Sequence, residues 1–135
     1  MRSWENRPDT IVVDEPFYAL YLKRTSKPHP GAAEIIAASE TDQSKVIEQL
    51  LAPLPAGKVI FYQKQMAHHL VSEIDRRWLN DVTNCFLIRD PAQVITSYIR
   101  KNEGPSLDDL GFVQQVQIFE SVRARTGAVT PVIDA

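Results

Sequence analysis

The 135-residue chain has a single cysteine, Cys85, so no intrachain disulfide can form and a cysteine-rich zinc site is excluded. No stretch approaches the ~18 consecutive apolar residues of a membrane span. The opening Met1-Arg2-Ser3-Trp4-Glu5-Asn6 lacks the apolar core of a secretory signal, and the expected location is the cytoplasm. Neither sign of charge dominates. Fifteen basic residues stand against 17 acidic ones, for a net charge of -2 and a pI near 5.9. Broad attraction to nucleic acid or to an anionic membrane is therefore not expected, although a local anion site is allowed. The chain has five glycines, and none lies in a Gly-x-x-x-x-Gly-Lys-Ser/Thr pattern, which disfavours a kinase or ATPase. The three histidines lack metal-ligand spacing, and no metal is expected. There is no internal repeat and no low-complexity tract.

What is present is the balance of an ordinary folded domain, 44% hydrophobic and 24% charged, expected as one domain over 1–135. Short β-rich runs alternate with helical ones. Ile11-Val12-Val13 reads as a first strand closed by Asp14-Glu15-Pro16, and Phe17, Tyr18, Tyr21 and Leu22 suggest a helical turn or two. Thr25 to Gly31 is a loop. Val46, Ile47, Leu50 and Leu51 mark a helix starting near Asp42 or Gln43 and ended by Pro53, Pro55 and Gly57. Val59-Ile60-Phe61-Tyr62 is a second strand. Ala67, Leu70, Val71, Ile74 and Trp78 fall on a 3.6-residue period and predict a helix with Trp78 in the core. Val82 to Ile88 reads as the third strand, with Cys85 buried in it as a small packing residue. Asp90 is a suitable N-cap and Pro91 a suitable first residue for a helix burying Val94, Ile95, Tyr98 and Ile99. Gly104-Pro105 breaks it, a further helix runs from Ser106 to about Arg125, Gly127 stops that one, and Val129 to Ile133 is a fourth strand. Strands alternating with helices predict an α/β fold: a mostly parallel sheet with flanking helices.

In open α/β sheets ligands bind beyond the carboxyl ends of the strands. Arg89 stands at such an end, and its fork of donors suits phosphate. The free N–H groups of the following helix add partial positive charge. Ser97 lies about two turns along, beside the apolar stripe, where a hydroxyl can meet a ligand lying on the helix. Thr96 and Arg100 are weaker candidates for the same role. The plain structural alternative is a strand–helix junction in which Arg89 pairs with a nearby acid.

Phe86-Leu87-Ile88-Arg89-Asp90-Pro91, followed by Val94-Ile95-Thr96-Ser97-Tyr98, resembles the 3'-phosphate-binding segment of P-loop sulfotransferases. Several further stretches resemble a bacterial branch of that family, whose members are also described as relatives of branched-chain aminotransferase-like proteins. They are Met1 to Thr10, Val12-Val13-Asp14-Glu15-Pro16-Phe17-Tyr18-Ala19, Phe61-Tyr62-Gln63-Lys64 with Met66-Ala67-His68-His69, and Leu79-Asn80-Asp81. The resemblance covers essentially all of the chain. It implies a partial P-loop sulfotransferase-like (P-loop NTPase-like) three-layer fold, with Arg89 and Ser97 gripping the 3'-phosphate of the co-substrate 3'-phosphoadenylyl sulfate. Family members begin with a strand and a glycine-rich loop that cradles the 5'-phosphosulfate. Met1-Arg2-Ser3-Trp4 looks like the end of the helix after that loop, and Val129 to Asp134 like the strand before the last part of the fold, so a truncated member is expected.

Sulfuryl transfer needs a base for the acceptor hydroxyl and positive charge on the moving group. By resemblance Glu15 is a candidate base, with Asp14 offering the same chemistry one position away; the plain alternative is that Glu15 faces solvent or pairs with a lysine. Lys64 is a candidate anion contact. His68 and His69 are alternative bases; on a helix an adjacent pair cannot share one face, so at most one is expected to point inward. His29 is a weaker candidate to line an acceptor site, and Trp4, Tyr18 and Tyr21 either shape such a site or simply pack. The acceptor is expected to be a small molecule with a hydroxyl, and a cut sheet edge could pair two copies into a homodimer. A non-catalytic module that binds a nucleotide or a partner, lacking the 5'-phosphosulfate loop, is the alternative. An aminotransferase is disfavoured, since Lys64 alone does not make a pyridoxal phosphate site.

Overall fold

Parallel strands cannot be joined by a tight turn, and the computed structural model meets that constraint twice. It describes residues 1–100, 104–127 and 129–135, and the chain divides into two compact units, Met1–Asp75 and Arg76–Ala135. Each unit holds one parallel pair of strands with helices in the crossover. The expected third and fourth strands thus form a pair of their own.

In the first unit α1 (Arg2–Glu5) leads into β1 (Thr10–Asp14). Helices α2 (Tyr18–Thr25), α3 (Ala32–Ala38) and α4 (Gln43–Leu50) follow, and then β2 (Ile60–Lys64). β1 and β2 run parallel from Thr10 opposite Ile60 to Asp14 opposite Lys64. α4 starts where the sequence says it should: the Asp42 side chain accepts from Ser44 N at 2.8 Å, and Val46 and Leu50 turn inward. α2 ends at Ser26, which takes a left-handed conformation and donates its N–H to Leu22 O. α3 follows the proline-flanked loop directly and carries no buried residue, so no core stripe announces it in the sequence. The core gathers Phe17, Leu20, Tyr21, Leu22, Val46, Leu50, Leu70 and Ile74, with Phe17 fully buried.

The periodic stretch from Ala67 to Trp78 is not the expected helix. It forms two separate 3₁₀ turns, Ala67–His69 and Arg77–Asp81, the second belonging to the other unit. Bonds from Leu70 N to Ala67 O, Ile74 N to Val71 O and Leu79 N to Arg76 O join residues three apart. Successive turns of this kind bring Leu70, Ile74 and Trp78 inward at nearly helical spacing without a helix.

The second unit comprises that second turn, β3 (Phe86–Ile88), α5 (Pro91–Ile99), α6 (Leu107–Leu110), α7 (Phe112–Thr126) and β4 (Val132–Asp134). β3 and β4 pair in parallel, Phe86 opposite Val132 and Ile88 opposite Asp134. Trp78, Leu79, Ile118 and Val122 are buried, and Phe86 meets Phe119 edge-on at 5.3 Å. Three expectations change here. β3 is only three residues long, and Cys85 lies outside it and is exposed, because Asn84 turns back to donate to Leu79 O and Val82 O. The single helix expected from Ser106 breaks at Gly111, whose φ of +73° caps α6 and starts α7, while Ser106 and Asp109 form a reciprocal capping box. α5 does not bury its stripe. Ile95 and Ile99 remain exposed, since two three-residue strands offer too little surface to cover it. Whether α5 runs on toward Gly104 falls on residues 101–103, outside the described ones.

The result is a mixed α/β fold of parallel strands and flanking helices. Among the described residues no helix is long and apolar enough to cross a membrane.

Candidate functional site

The first cluster forms at the carboxyl ends of β1 and β2. Their register sets Asp14 beside Lys64. The next residue, Glu15, has φ +49°, a left-handed conformation that costs a non-glycine residue about 1–3 kcal/mol. Two backbone bonds hold it there: Glu15 N donates to Lys64 O, and Glu15 O accepts from Tyr18 N, both at 2.9 Å. Lys64 Nζ pairs with Glu15 Oε1 and, at 3.2 Å, with Asp14 Oδ1. Burial works against the Lys64 ammonium, but the hydrogen bonds and charges of Glu15 and Asp14 outweigh it and raise its pKa.

Behind Glu15 sits His69. Its ring stacks on Tyr18 at 4.9 Å, tilts against Tyr21 at 4.8 Å and meets His68 edge-on at 4.4 Å. Burial, with His68 and Lys64 adding like charge, pushes its pKa down to about 3. The imidazole is therefore neutral near pH 7, and the 3.9 Å approach of its Nδ1 to Glu15 Oε2 is not an ion pair. That nitrogen is buried without a hydrogen-bond partner. His68 is half-buried, and burial together with the charges of Lys27 and Lys64 lowers its pKa as well, against the pull of Glu15. Tyr18 is raised by burial, then by the charge of Glu15. Of the three expected bases, the Glu15 side chain is 27% exposed and that of His69 4%, so solvent reaches the first and not the second.

The other aromatic candidates pack. Trp4 stacks on Tyr62 and has Arg7 over its ring, and the exposed His29 stands edge-on to Tyr18.

The second cluster lies on α5. Asp90 caps the helix by accepting from Gln93 N, and Pro91 opens it. One cleft of about 390 Å³ is lined by Arg89, Ala92, Gln93, Thr96, Ser97 and Arg100. Arg89 and Ser97, paired by the sequence reading, thus face the same space. Thr96 spends its hydroxyl proton on Ala92 O at 2.7 Å, which weakens it as a donor to a ligand. Gln93 went unnoticed in the sequence, although its place four residues after Arg89 puts it on the same helix face. Two guanidiniums, a hydroxyl and an amide form a donor set suited to a phosphate. Among the described residues no group of three His, Cys, Asp or Glu side chains could hold a metal ion.

The fold class is α/β with parallel strands and polar clusters at strand ends. The family is given by sequence: the model described as "Sulfotransferase domain" matches residues 1–134, and the chain belongs to that family. The chain is 32% identical over 138 residues to "Branched-chain-amino-acid aminotransferase-like protein 1" of Arabidopsis thaliana, and 27% identical over 135 residues to "Branched-chain-amino-acid aminotransferase-like protein 2" of the same plant. Each match covers 100% of this chain but 24% of the relative, so the chain spans about a quarter of those proteins. No solved structure matches it.

Proposed function

We propose that this chain carries sulfotransferase chemistry, the transfer of a sulfuryl group from 3'-phosphoadenylyl sulfate to the hydroxyl of a small acceptor. The observation that carries the reading is the cleft on α5, where Arg89 and Ser97 converge as the family resemblance implies. Arg89 offers a charged two-pronged donor to the 3'-phosphate, Ser97 a hydroxyl, and Gln93 an amide. The family match runs through both units, which supports reading 1–135 as one domain.

In this reading Glu15 is the base. It takes the acceptor's hydroxyl proton as the new O–S bond forms and the bond to the leaving phosphate breaks, releasing adenosine 3',5'-bisphosphate. Its partial exposure and the neutrality of buried His69 favour it over the histidines. Lys64 is the counter-charge of Glu15 in the resting arrangement, and contact with a substrate anion requires it to leave that pair. A cytoplasmic setting and a homodimer paired through open strand edges belong to the same proposal. The relatives' aminotransferase-like names describe proteins about four times longer, and they contribute no residue to this reading.

The test is calorimetric titration of the chain with adenosine 3',5'-bisphosphate, with an Arg89→Ala control and circular dichroism to verify folding. Binding that disappears in the control supports the reading. A folded chain that does not bind overturns it.

A further inference from the structure

On a helical projection the lining of the α5 cleft is one stripe: Arg89, Gln93, Thr96 with Ser97, and Arg100 follow at steps of three and four residues. Val94, Ile95, Tyr98 and Ile99 occupy the opposite face. Arg100 projects nearly over Arg89, closer to the centre of the stripe than Ser97, and the two arginines bracket the cleft at the two ends of the helix. Neither makes an ion pair among the described residues, whereas Arg7 pairs with Asp9, Lys45 with Glu40, and Lys64 with Asp14 and Glu15. Asp90, next to Arg89 in sequence, caps Gln93 N. Among the described residues the cleft thus presents two guanidiniums that form no ion pair. Its volume is also far larger than one phosphate needs.

We propose that Arg100 is a second phosphate-binding arginine of this cleft, and that with Arg89 it makes the cleft selective for a phosphomonoester dianion over a phosphodiester. The inference rests on the reading of the cleft as a nucleotide site and adds to it a ligand residue and a charge preference. A dianion interacts with both guanidiniums more strongly than a monoanion does, and each charge-assisted hydrogen bond adds to the difference. A purely structural role is the competing account, because a cation at a helix C-terminus interacts favourably with the last carbonyls. That account predicts lower stability in Arg100→Ala with unchanged ligand affinity.

The experiment titrates the full chain with adenosine 3',5'-bisphosphate and with adenosine 3',5'-cyclic phosphate, a diester. The proteins are the unaltered chain, Arg100→Ala, Arg100→Lys, Arg89→Ala, and, as a control, Arg125→Ala at an exposed position of α7, each with a thermal melt. Loss of one charged hydrogen bond corresponds to roughly a tenfold or greater loss of affinity. The expected result is that Arg100→Ala loses this much for the bisphosphate and much less for the cyclic diester. Arg100→Lys falls between, and Arg125→Ala is unchanged. If Arg89→Ala loses binding while Arg100→Ala keeps full affinity and the same preference, the role of Arg100 is overturned and the nucleotide site stands. If the unaltered, folded chain binds neither ligand, the nucleotide reading falls and this inference with it.

Discussion

Acid should unfold the first unit through His69, and the size of the effect follows from its burial. An ordinary imidazole takes its proton near pH 6.5, whereas His69 in the folded chain is held down to about 3. Between those values the unfolded chain binds a proton that the folded chain refuses, so stability falls as pH drops through that window. Each pH unit inside it is worth about 1.4 kcal/mol, so at pH 5 the cost is about 2 kcal/mol relative to neutral pH. The perturbation is His69→Phe, which keeps a ring between Tyr18 and Tyr21, removes the unpartnered Nδ1 and cannot titrate. Urea unfolding followed by circular dichroism at half-unit steps from pH 7.5 to 4.5 gives the stability difference between the two proteins. His68 and the carboxylates titrate in both, so the difference isolates His69. The variant should be as stable as the unaltered chain or more so at pH 7.5, and gain about 2 kcal/mol on it by pH 5. A difference independent of pH would refute the reasoning, because it would mean that His69 is solvated or charged in the folded chain.

At the other end of the scale, the Lys64 pKa is raised, so its pairing contributes stability that is present below the ordinary lysine pKa and lost as pH rises through the folded value. Lys64→Met should remove that alkaline dependence from urea midpoints measured between pH 8 and 11. Glu15→Gln should lower sulfuryl transfer about 100- to 10,000-fold, as expected for loss of a general base, while leaving nucleotide affinity in calorimetry unchanged. Phe17→Ala should cost about 3–5 kcal/mol in denaturant unfolding, since Phe17 is fully buried. Asp42→Ala should cost about 1 kcal/mol through the lost cap on Ser44 N, read as a lower thermal midpoint.

The parts of the fold that were legible in the sequence are those with local chemistry. Asp42 before α4, Asp90-Pro91 before α5 and Gly127 after α7 announce themselves because caps act over three or four residues. The cleft on α5 was legible for the same reason: Arg89 and Ser97 share one short segment. That Glu15 could pair with a lysine was legible, but not that the partner is Lys64, because a parallel register between strands 50 positions apart leaves no local signal, and nothing in Asp14-Glu15-Pro16 declares a left-handed backbone. For His68 and His69 the expectation that at most one points inward assumed a helix; the segment is a 3₁₀ turn with the two rings 4.4 Å apart, and His69 alone is buried. Cys85 misled because an apolar run was read as a strand that the turn at Asn84 delays by several residues.

The two strand pairs impose a timetable on folding. Thr10 waits for Ile60, and Phe86 for Val132, so each sheet closes only after a loop of 50 or 46 positions has come together. The entropy of that closure must be met before the first strand bond forms, which places the helices early and the strands late. During synthesis β1 therefore emerges well before its partner β2, which follows α2, α3 and α4 in the chain. Substitutions that weaken the capped helix α4 should thus lengthen the time β1 stays open to aggregation, even where the finished protein is barely less stable.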